Sequence, residues 1–503
     1  MDFLHGDAFS LQNLLSLAVG SLCGIVGGAM PGLSTAGTLA ILLPFTLNMA
    51  PLPAIALLVA AYTGAQYGGS ITATLFNTPG APESAVMTID GFALSSAGLA
   101  RKGLLGALWS GLIGGLIGVA FLVFLAPWLA HEALSFGPPE FAMLAVLGLT
   151  VMASLGRGTA TKGFLAGFFG MFIAMIGLDP VSGSPRMTLG LGDMIGGVPL
   201  IPALIGLFAI SEALRLLLDE AHKGAVSLAE QQRVGFSFSD FFATARYIIV
   251  GSLVGVFIGI KPGGGATIAS WLAYSAARGV APASERAKFG SGSLAGLLAP
   301  EAADKATVGA ALIPLLSLGI PASASGAVLL GAFELHDLIP GPLLFTNQPD
   351  LIRDLFLALV IANVFVFVWG RGVIEALIRV RSFDTGILGI GILVMATLGA
   401  YAFGGSPWDV LIACALGVIG YFFQAAGIPL APVVLGMVIG PLFEINFRRS
   451  LLLSGDSLSI FFNRPVACGL LILSVVLFVL PSLLRWWRGR SSGGMERIAR
   501  GQG

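Results

Sequence analysis

Apolar residues run together in long blocks along this chain. Residues 104–129, 198–218, 351–369 and 466–484 are almost unbroken apolar runs, and ~20 such residues in a helix cross a hydrocarbon core about 30 Å thick. The blocks predict on the order of ten to twelve membrane crossings at ~20 residues each. Two short stretches, PGLSTAG (31–37) and PGGGAT (262–267), puncture this pattern. Proline removes a backbone donor and clashes with the preceding turn, and glycine relaxes the chain, so each stretch is expected to interrupt a helix.

The two interruptions belong to an internal repeat. VGSLCGIVGGAMPG (19–32) matches VGSLVGVFIGIKPG (250–263) at eight of fourteen positions with a constant offset of 231. A looser match aligns NTPGAPESAV (77–86) with GIPASASGAV (319–328) at an offset of 242, which implies a short insertion in the second half. The expected organisation is a first half at 1–218, a polar linker at 219–245, and a second half at 246–503 that carries extra C-terminal helices.

Composition supports the membrane reading: 56% of residues are apolar and 10% charged, against about 25% charged in a soluble globular protein. The balance of 26 basic and 26 acidic residues says little about partners, but the placement of the basic ones does. Arg215, Lys223, Arg233 and Arg246 lead into the second repeat, whereas no Lys or Arg leads into the first. The connector 48–57 has no basic residue while its counterpart carries Arg278, Arg286 and Lys288; the next pair reverses, with Arg101 and Lys102 against none across 334–345. Because cytoplasmic connectors collect Lys and Arg, matched loops are expected on opposite sides of the membrane. The predicted fold is therefore an all-α polytopic membrane protein of two inverted-topology repeats, with broken or re-entrant helices at its centre. Its N-terminus is expected on the periplasmic side, and the linker and the RWWRGR tail (485–490) on the cytoplasmic side. MDFLHGDAFS (1–10) lacks the basic start of a secretory signal, so the first apolar run is expected to be retained. Cys23, Cys414 and Cys468 lie far apart in apolar segments and give no disulfide or metal spacing.

A helix broken within hydrocarbon leaves backbone groups that cost several kcal/mol each unless protein, water or a solute meets them. A break is thus tolerable where it lines a site. Half-helix N-termini present unpaired N–H groups that suit a carboxylate, and unwound carbonyls suit Na⁺. The second pair of breaks adds neutral hydrogen-bonding groups: Ser70, Thr72, Asn77 and Thr78 before Pro79, and Ser317, Ser323 and Ser325 around Pro321. An NTP-driven enzyme is disfavoured, because Lys261 precedes the glycines of PGGGAT rather than following them as a phosphate-binding loop requires. His5, His131, His222 and His336 have no catalytic or metal spacing, and no nucleophile elbow is present. No catalytic residue, metal or cofactor is expected. A passive anion channel is the alternative of another class; its pore would need rings of carbonyls or charges from several subunits, whereas two breaks in one chain favour a carrier.

The runs PGLSTAGTLAILLPFT, AYTGAQYGGSITATLFNTPGAPESAVMTIDGF, DPVSGSPRMTLG with GLFAISEAL, and APEAADKATVGAALIPLLSLGIPASASGAVLLGAF with PGPLLF resemble the large membrane subunit of the tripartite tricarboxylate transporter family. The resemblance covers residues 15 to about 345 motif by motif, and the remaining helices in character. It implies a bacterial inner-membrane secondary carrier that works with a small four-helix membrane subunit. It further implies a periplasmic solute-binding protein that delivers an organic anion such as a carboxylate, and uptake coupled to Na⁺ or H⁺. This chain departs from the family pattern at Lys261, where an apolar residue is usual, and at Asp304–Lys305, where paired asparagines are usual.

Candidate substrate-binding residues are Ser34, Thr35, Asn77, Thr78, Pro79, Gly80, Lys261, Gly263, Gly264, Gly265, Thr267, Ser323 and Ser325. Candidate coupling-ion residues are Ser70, Thr72, Ser317 and Asp304. Each has a plainer reading beside the functional one. Lys261 is either a counter-charge to substrate or a lysine satisfied by Asp304 or Glu301, or one that reaches an interface. Asp304–Lys305 is expected to be an ion pair at a surface or interface in preference to a coupling site. Glu83 is expected to complement a helix dipole, the serines also permit close helix packing, and Arg186 is a loop anchor or a ligand.

Overall fold

The computed structural model describes residues 7–30, 32–154, 160–180, 182–218, 234–261, 265–377 and 385–478. Among them the chain is helical apart from one two-stranded hairpin that pairs Gly177–Leu178 with Pro185–Arg186. The long elements are α1 (Leu11–Gly28), α2 (Thr35–Leu42), α3 (Pro51–Phe76), α4 (Met87–Ser96), α5 (Ala100–Ala133), α6 (Pro138–Ser154) and α7 (Ala160–Ala174). They continue with α8 (Leu200–Leu218), α9 (Phe238–Gly259), α10 (Gly265–Val280), α11 (Leu294–Leu318), α12 (Ala324–Leu335) and α13 (Pro349–Leu377). The last three are α14 (Thr385–Gly404), α15 (Pro407–Ala425) and α16 (Leu430–Ser454).

Seven of the described helices are long and apolar enough to cross a membrane: α1, α5, α8, α9, α13, α15 and α16. Their outer faces keep large apolar side chains exposed, among them Phe124, Phe257 and Val368, as a lipid-solvated surface requires. The helices α3 and α11, with 26 and 25 residues, are each about 38 Å long but more polar, and nearly all their residues are buried. The chain is an all-α polytopic membrane protein, with its most polar long helices at the inside.

Close packing is set by glycines at four-residue spacing. A Cβ at Gly20, Gly24 or Gly28 of α1 would overlap the backbone of Leu57, Ala61 or Ala65 of α3. In the second half the same contact recurs: Gly251, Gly255 and Gly259 of α9 lie against Ala299, Ala303 and Thr307 of α11. The glycines are offset by 231 and their partners by 242, as in the sequence repeat, so the two halves share contacts as well as residues. In both pairs the contacts advance together along the two helices, which therefore run parallel; α2 and α10 carry the chain back between them.

Across the halves the direction reverses. Ser70 of α3 meets Glu301 of α11, while Thr63, earlier on α3, meets Lys305, later on α11. Equivalent helices α3 and α11 are thus antiparallel. Gly115 and Leu108 of α5 lie against Asn363 and Gly370 of α13, so this equivalent pair is antiparallel too. By contrast α5 and α11 run parallel, through Gly114 on Ala302 and Gly118 on Ala306.

Two compact units divide the chain, Met1–Ser135 with Val198–Ala431, and Phe136–Gly197 with Pro432–Gly503. All the contacts above lie in the first. The second holds α6, α7, the hairpin and α16. In it Arg186 grips Glu444 by two hydrogen bonds of 2.7 and 3.2 Å, and Arg448 reaches Asp179 at 3.0 Å, which anchors the hairpin to α16. A further repeat emerges at the start of α8 and α16. GVPLIPALIG (197–206) and GIPLAPVVLG (427–436) agree at five of ten positions. Gly206 packs on the Ala413 carbonyl inside the first unit, and Gly436 on the Gly167 carbonyl inside the second. The repeat therefore extends beyond the motifs that first disclose it.

Candidate functional site

The first break follows Gly28, and the chain resumes as α2 at Thr35. Gly32 takes a left-handed φ of 86° that favours glycine; its carbonyl accepts a 3.4 Å hydrogen bond from Arg215, itself paired with Glu212 at 2.7 Å. Ser34 caps α2 by accepting from the Gly37 N–H at 3.1 Å. Thr35, buried, donates to Glu83 at 2.7 Å. Gly80 lies directly on the Gly28 carbonyl, where a Cβ would not fit. The first break and the turn after α3 are therefore in contact. Pro31 lies outside the described residues.

The break after α3 and the break after α11 are built alike. Asn77 and Gly319, 242 residues apart, end their helices with left-handed φ values of 53° and 71°. Asn77 is exposed and the half-buried Thr78 donates to the Phe76 carbonyl at 3.1 Å, so both serve the turn at Pro79. Ser323 caps α12 by accepting from Gly326 at 3.0 Å and sits beside the Tyr62 hydroxyl; Ser325 is buried in the first turn. Thr72 and Ser317 donate to carbonyls of their own helices, Gly69 at 3.1 Å and Ile313 at 2.5 Å.

In the second half α9 ends at Gly259 and α10 begins at Gly265, whose φ is 56°. Gly263 and Gly264 lie outside the described residues, and Thr267 is half-buried in the first turn of α10. Lys261 is exposed, its ammonium 4.7 Å from the centre of the Phe257 ring. The ammonium stands over that ring and not at Asp304 or Glu301, both of which are fully buried.

The centre of the first unit holds a charged cluster. Glu301, Asp304 and Lys305 of α11 are 0%, 0% and 1% exposed, so the pair expected at a surface is instead enclosed. Helix geometry explains this: positions i, i+3 and i+4 share one face, and that face of α11 meets α3. Ser70 donates to Glu301 and also lies 2.9 Å from the Met87 sulfur. The Lys305 ammonium donates to the Thr63 carbonyl and stands 5.7 Å from the centre of the Tyr67 ring. Gly111 of α5 floors both Glu301 and Lys305, each with an atom 3.1 Å from where its Cβ would be. Tyr62 faces Asp304, Glu83 and Ser323. At an offset of 242, Asp304 is the equivalent of Tyr62 and Lys305 of Thr63. Equivalent residues touch one another here, so the cluster sits where the two halves cross.

The arrangement brings Thr35, Glu83, Ser323, Ser70 and Asp304 around one region and leaves Lys261, Asn77 and Thr78 out of the cluster. Sequence reasoning passes over Tyr62 and Gln66, places Lys305 in an ion pair at a surface or interface, and treats Glu301 only as a possible partner. The signal was present: AYTGAQYGGS places Tyr62, Thr63, Gln66, Tyr67 and Ser70 at helical spacing within an apolar stretch, and EAADK does the same for its three charges. Both Asp304 carboxylate oxygens, Glu301 Oε1 and both polar atoms of Gln66 have no hydrogen-bond partner among the described residues. Buried polar atoms are nearly always satisfied, so these orphaned atoms mark the cluster as the candidate site.

The chain matches the Tripartite tricarboxylate transporter TctA family over residues 14–435. It is 34% identical over 479 residues to the uncharacterized 52.8 kDa protein in the TAR-I ttuC′ 3′ region of Agrobacterium vitis, covering 95% of each chain. It is also 33% identical over 232 residues to the uncharacterized protein in the TAR-II ttuC′ 3′ region of the same organism, covering 46% of this chain and 95% of the relative. This chain belongs to the tripartite tricarboxylate transporter TctA family.

Proposed function

We propose that this chain is the large membrane subunit of a secondary carrier that moves an organic anion of the di- or tricarboxylate type across a bacterial inner membrane. A periplasmic solute-binding protein hands over the anion, a small four-helix membrane subunit completes the assembly, and a gradient of Na⁺ or H⁺ drives uptake. The observation that carries this reading is the convergence of interrupted helices from both halves on one buried polar cluster, at the crossing of α3 and α11.

In this reading the halves are inverted-topology repeats, as the antiparallel course of α3 and α11 supports, with the N-terminus periplasmic and the C-terminus cytoplasmic. Residues 1–218 and 246–503 form the halves, joined by the cytoplasmic linker 219–245. The anion settles among the half-helix ends near Ser34–Thr35, Asn77–Gly80, Lys261–Thr267 and Ser323–Ser325. The cation is held at Asp304, with Ser70, Thr72 and Ser317 nearby. Transport then requires one group of helices to move relative to the other, which exposes the site inward.

Uptake into proteoliposomes that contain the complete assembly tests the reading, with radiolabelled di- and tricarboxylates in turn and with Na⁺ present or absent. A carrier accumulates one of these solutes above its outside concentration and loses that accumulation when an ionophore collapses the ion gradients. Equilibration without accumulation would instead indicate a passive anion channel.

A further inference from the structure

The charges buried at the α3–α11 crossing do not cancel. Glu301 and Asp304 bring two negative charges and Lys305 one positive, all at most 1% exposed. Glu301 accepts from Ser70 and lies one helical turn from Lys305, which is itself fixed on the Thr63 carbonyl. Asp304 is left with both oxygens unpartnered. A carboxylate shut away from water without a partner costs far more than a neutral acid does. The cluster therefore needs one more positive charge, and the place for it is Asp304. A second orphan marks the same region: Gln66, 1% exposed, lies on α3 between Thr63 and Ser70, and neither end of its amide has a partner.

We propose that Asp304 carries a proton through the transport cycle and that this proton, not Na⁺, is the coupling ion. The proposal rests on the reading of the chain as an anion carrier. A proton needs one oxygen and no coordination shell, whereas a metal cation needs several oxygens converging on one point. The hydroxyls that could build such a shell are turned to other partners: Ser70 donates to Glu301, Thr72 to the Gly69 carbonyl and Ser317 to the Ile313 carbonyl. The other ionisable groups facing this region are Glu83 from the turn before α4 and Tyr62 and Tyr67 from α3. Asp90 of α4 is held by the N–H groups of Gly290, Gly292 and Ser293 and by Tyr274, and so is already satisfied.

The step is a simple proton transfer. An O–H bond forms at Asp304 when the site faces outward and breaks when it faces inward, the proton leaving to water, with no change of oxidation state. With the proton on, Glu301 and Lys305 balance and an anion can approach a neutral core. With it off, the core carries a net negative charge that repels the anion. Anion and proton therefore travel together.

Infrared difference spectroscopy of the purified full chain tests this without a substrate. We expect a protonated-carboxyl C=O band that shifts in D₂O, ignores added Na⁺ and disappears in Asp304→Asn. In proteoliposomes of the complete assembly, a pH gradient alone should drive carboxylate uptake, and Asp304→Asn should lower that uptake at least about tenfold. The proposal is overturned if wild-type chain has no such band at any pH at which it stays folded, if Glu301→Gln removes the band and Asp304→Asn does not, or if uptake follows a Na⁺ gradient at zero pH gradient. The wild-type spectrum decides even where a variant does not fold. A band with no uptake of any carboxylate would support the proton site and count against the carboxylate reading instead.

Discussion

At the scale of single residues, charges enclosed by helices govern the stability of the centre. Glu301 and Lys305 are opposite charges enclosed one helical turn apart, and removing one of two such charges costs up to about 3–5 kcal/mol, because the other is stranded. Lys305→Met should therefore lower the thermal stability of the purified chain by that order. Glu301→Gln added to Lys305→Met should restore part of it, with a coupling energy of ~0.5–3 kcal/mol. Simple additivity of the two losses would mean that Glu301 and Lys305 do not act on each other. Thr35 gives a milder case: Thr35→Val removes a hydrogen bond to a charged group, worth about 1.5–3 kcal/mol, and releases the link between the first break and Glu83. The variant should transport more slowly while remaining folded, and wild-type uptake rates would remove this contact from the account.

At the scale of helices, stability rests on backbone approach, and the glycines that permit it lie in matched positions. Leucine at Gly24 or at Gly255 would collide with the backbone of Ala61 or Ala303, with the usual penalty of overpacking, about 1–3 kcal/mol or more. Both variants should lose stability by similar amounts. Gly279→Ala, in the last turn of α10 with nothing within 4 Å of its added carbon, should change stability by no more than about 0.5 kcal/mol. Melting temperatures in detergent would check all three.

The helices and their breaks were legible because proline, glycine and apolar blocks act locally: the ends of α1, α3, α9 and α11 fall at the stretches where the sequence places an interruption. What enclosed Asp304 and Lys305 was not local. Charge alone argued for a surface, and the packing of α3 and α5 on α11 buries them. Asn77 shows the converse, for an amide in an apolar run invites a binding role, yet its left-handed φ makes it the counterpart of Gly319. Lys261 likewise has two buried carboxylates within the same half and meets neither.

At the scale of the whole molecule, the repeat fixes directions that composition leaves open. One end of the first unit gathers the starts of α5 and α9 and the end of α13, where Lys102 pairs with Asp240 at 2.8 Å and Arg101 with Glu375 at 2.6 Å. The connector before α11, which carries Arg286 and Lys288, lies at this end too, through the contact of Asp90 with Ser293. The connector between α2 and α3 lies at the opposite end, because α3 runs antiparallel to α11. If the two halves are inverted repeats, matched connectors must open to different compartments.

The most direct test is to place a single cysteine at Met49 or at Lys288 in a chain whose Cys23, Cys414 and Cys468 have been replaced, and to label each with a membrane-impermeant maleimide from either side of the membrane. The account predicts that the cysteine at 49 reacts from the periplasmic side only and the cysteine at 288 from the cytoplasmic side only. Labelling of both from the same side would contradict it.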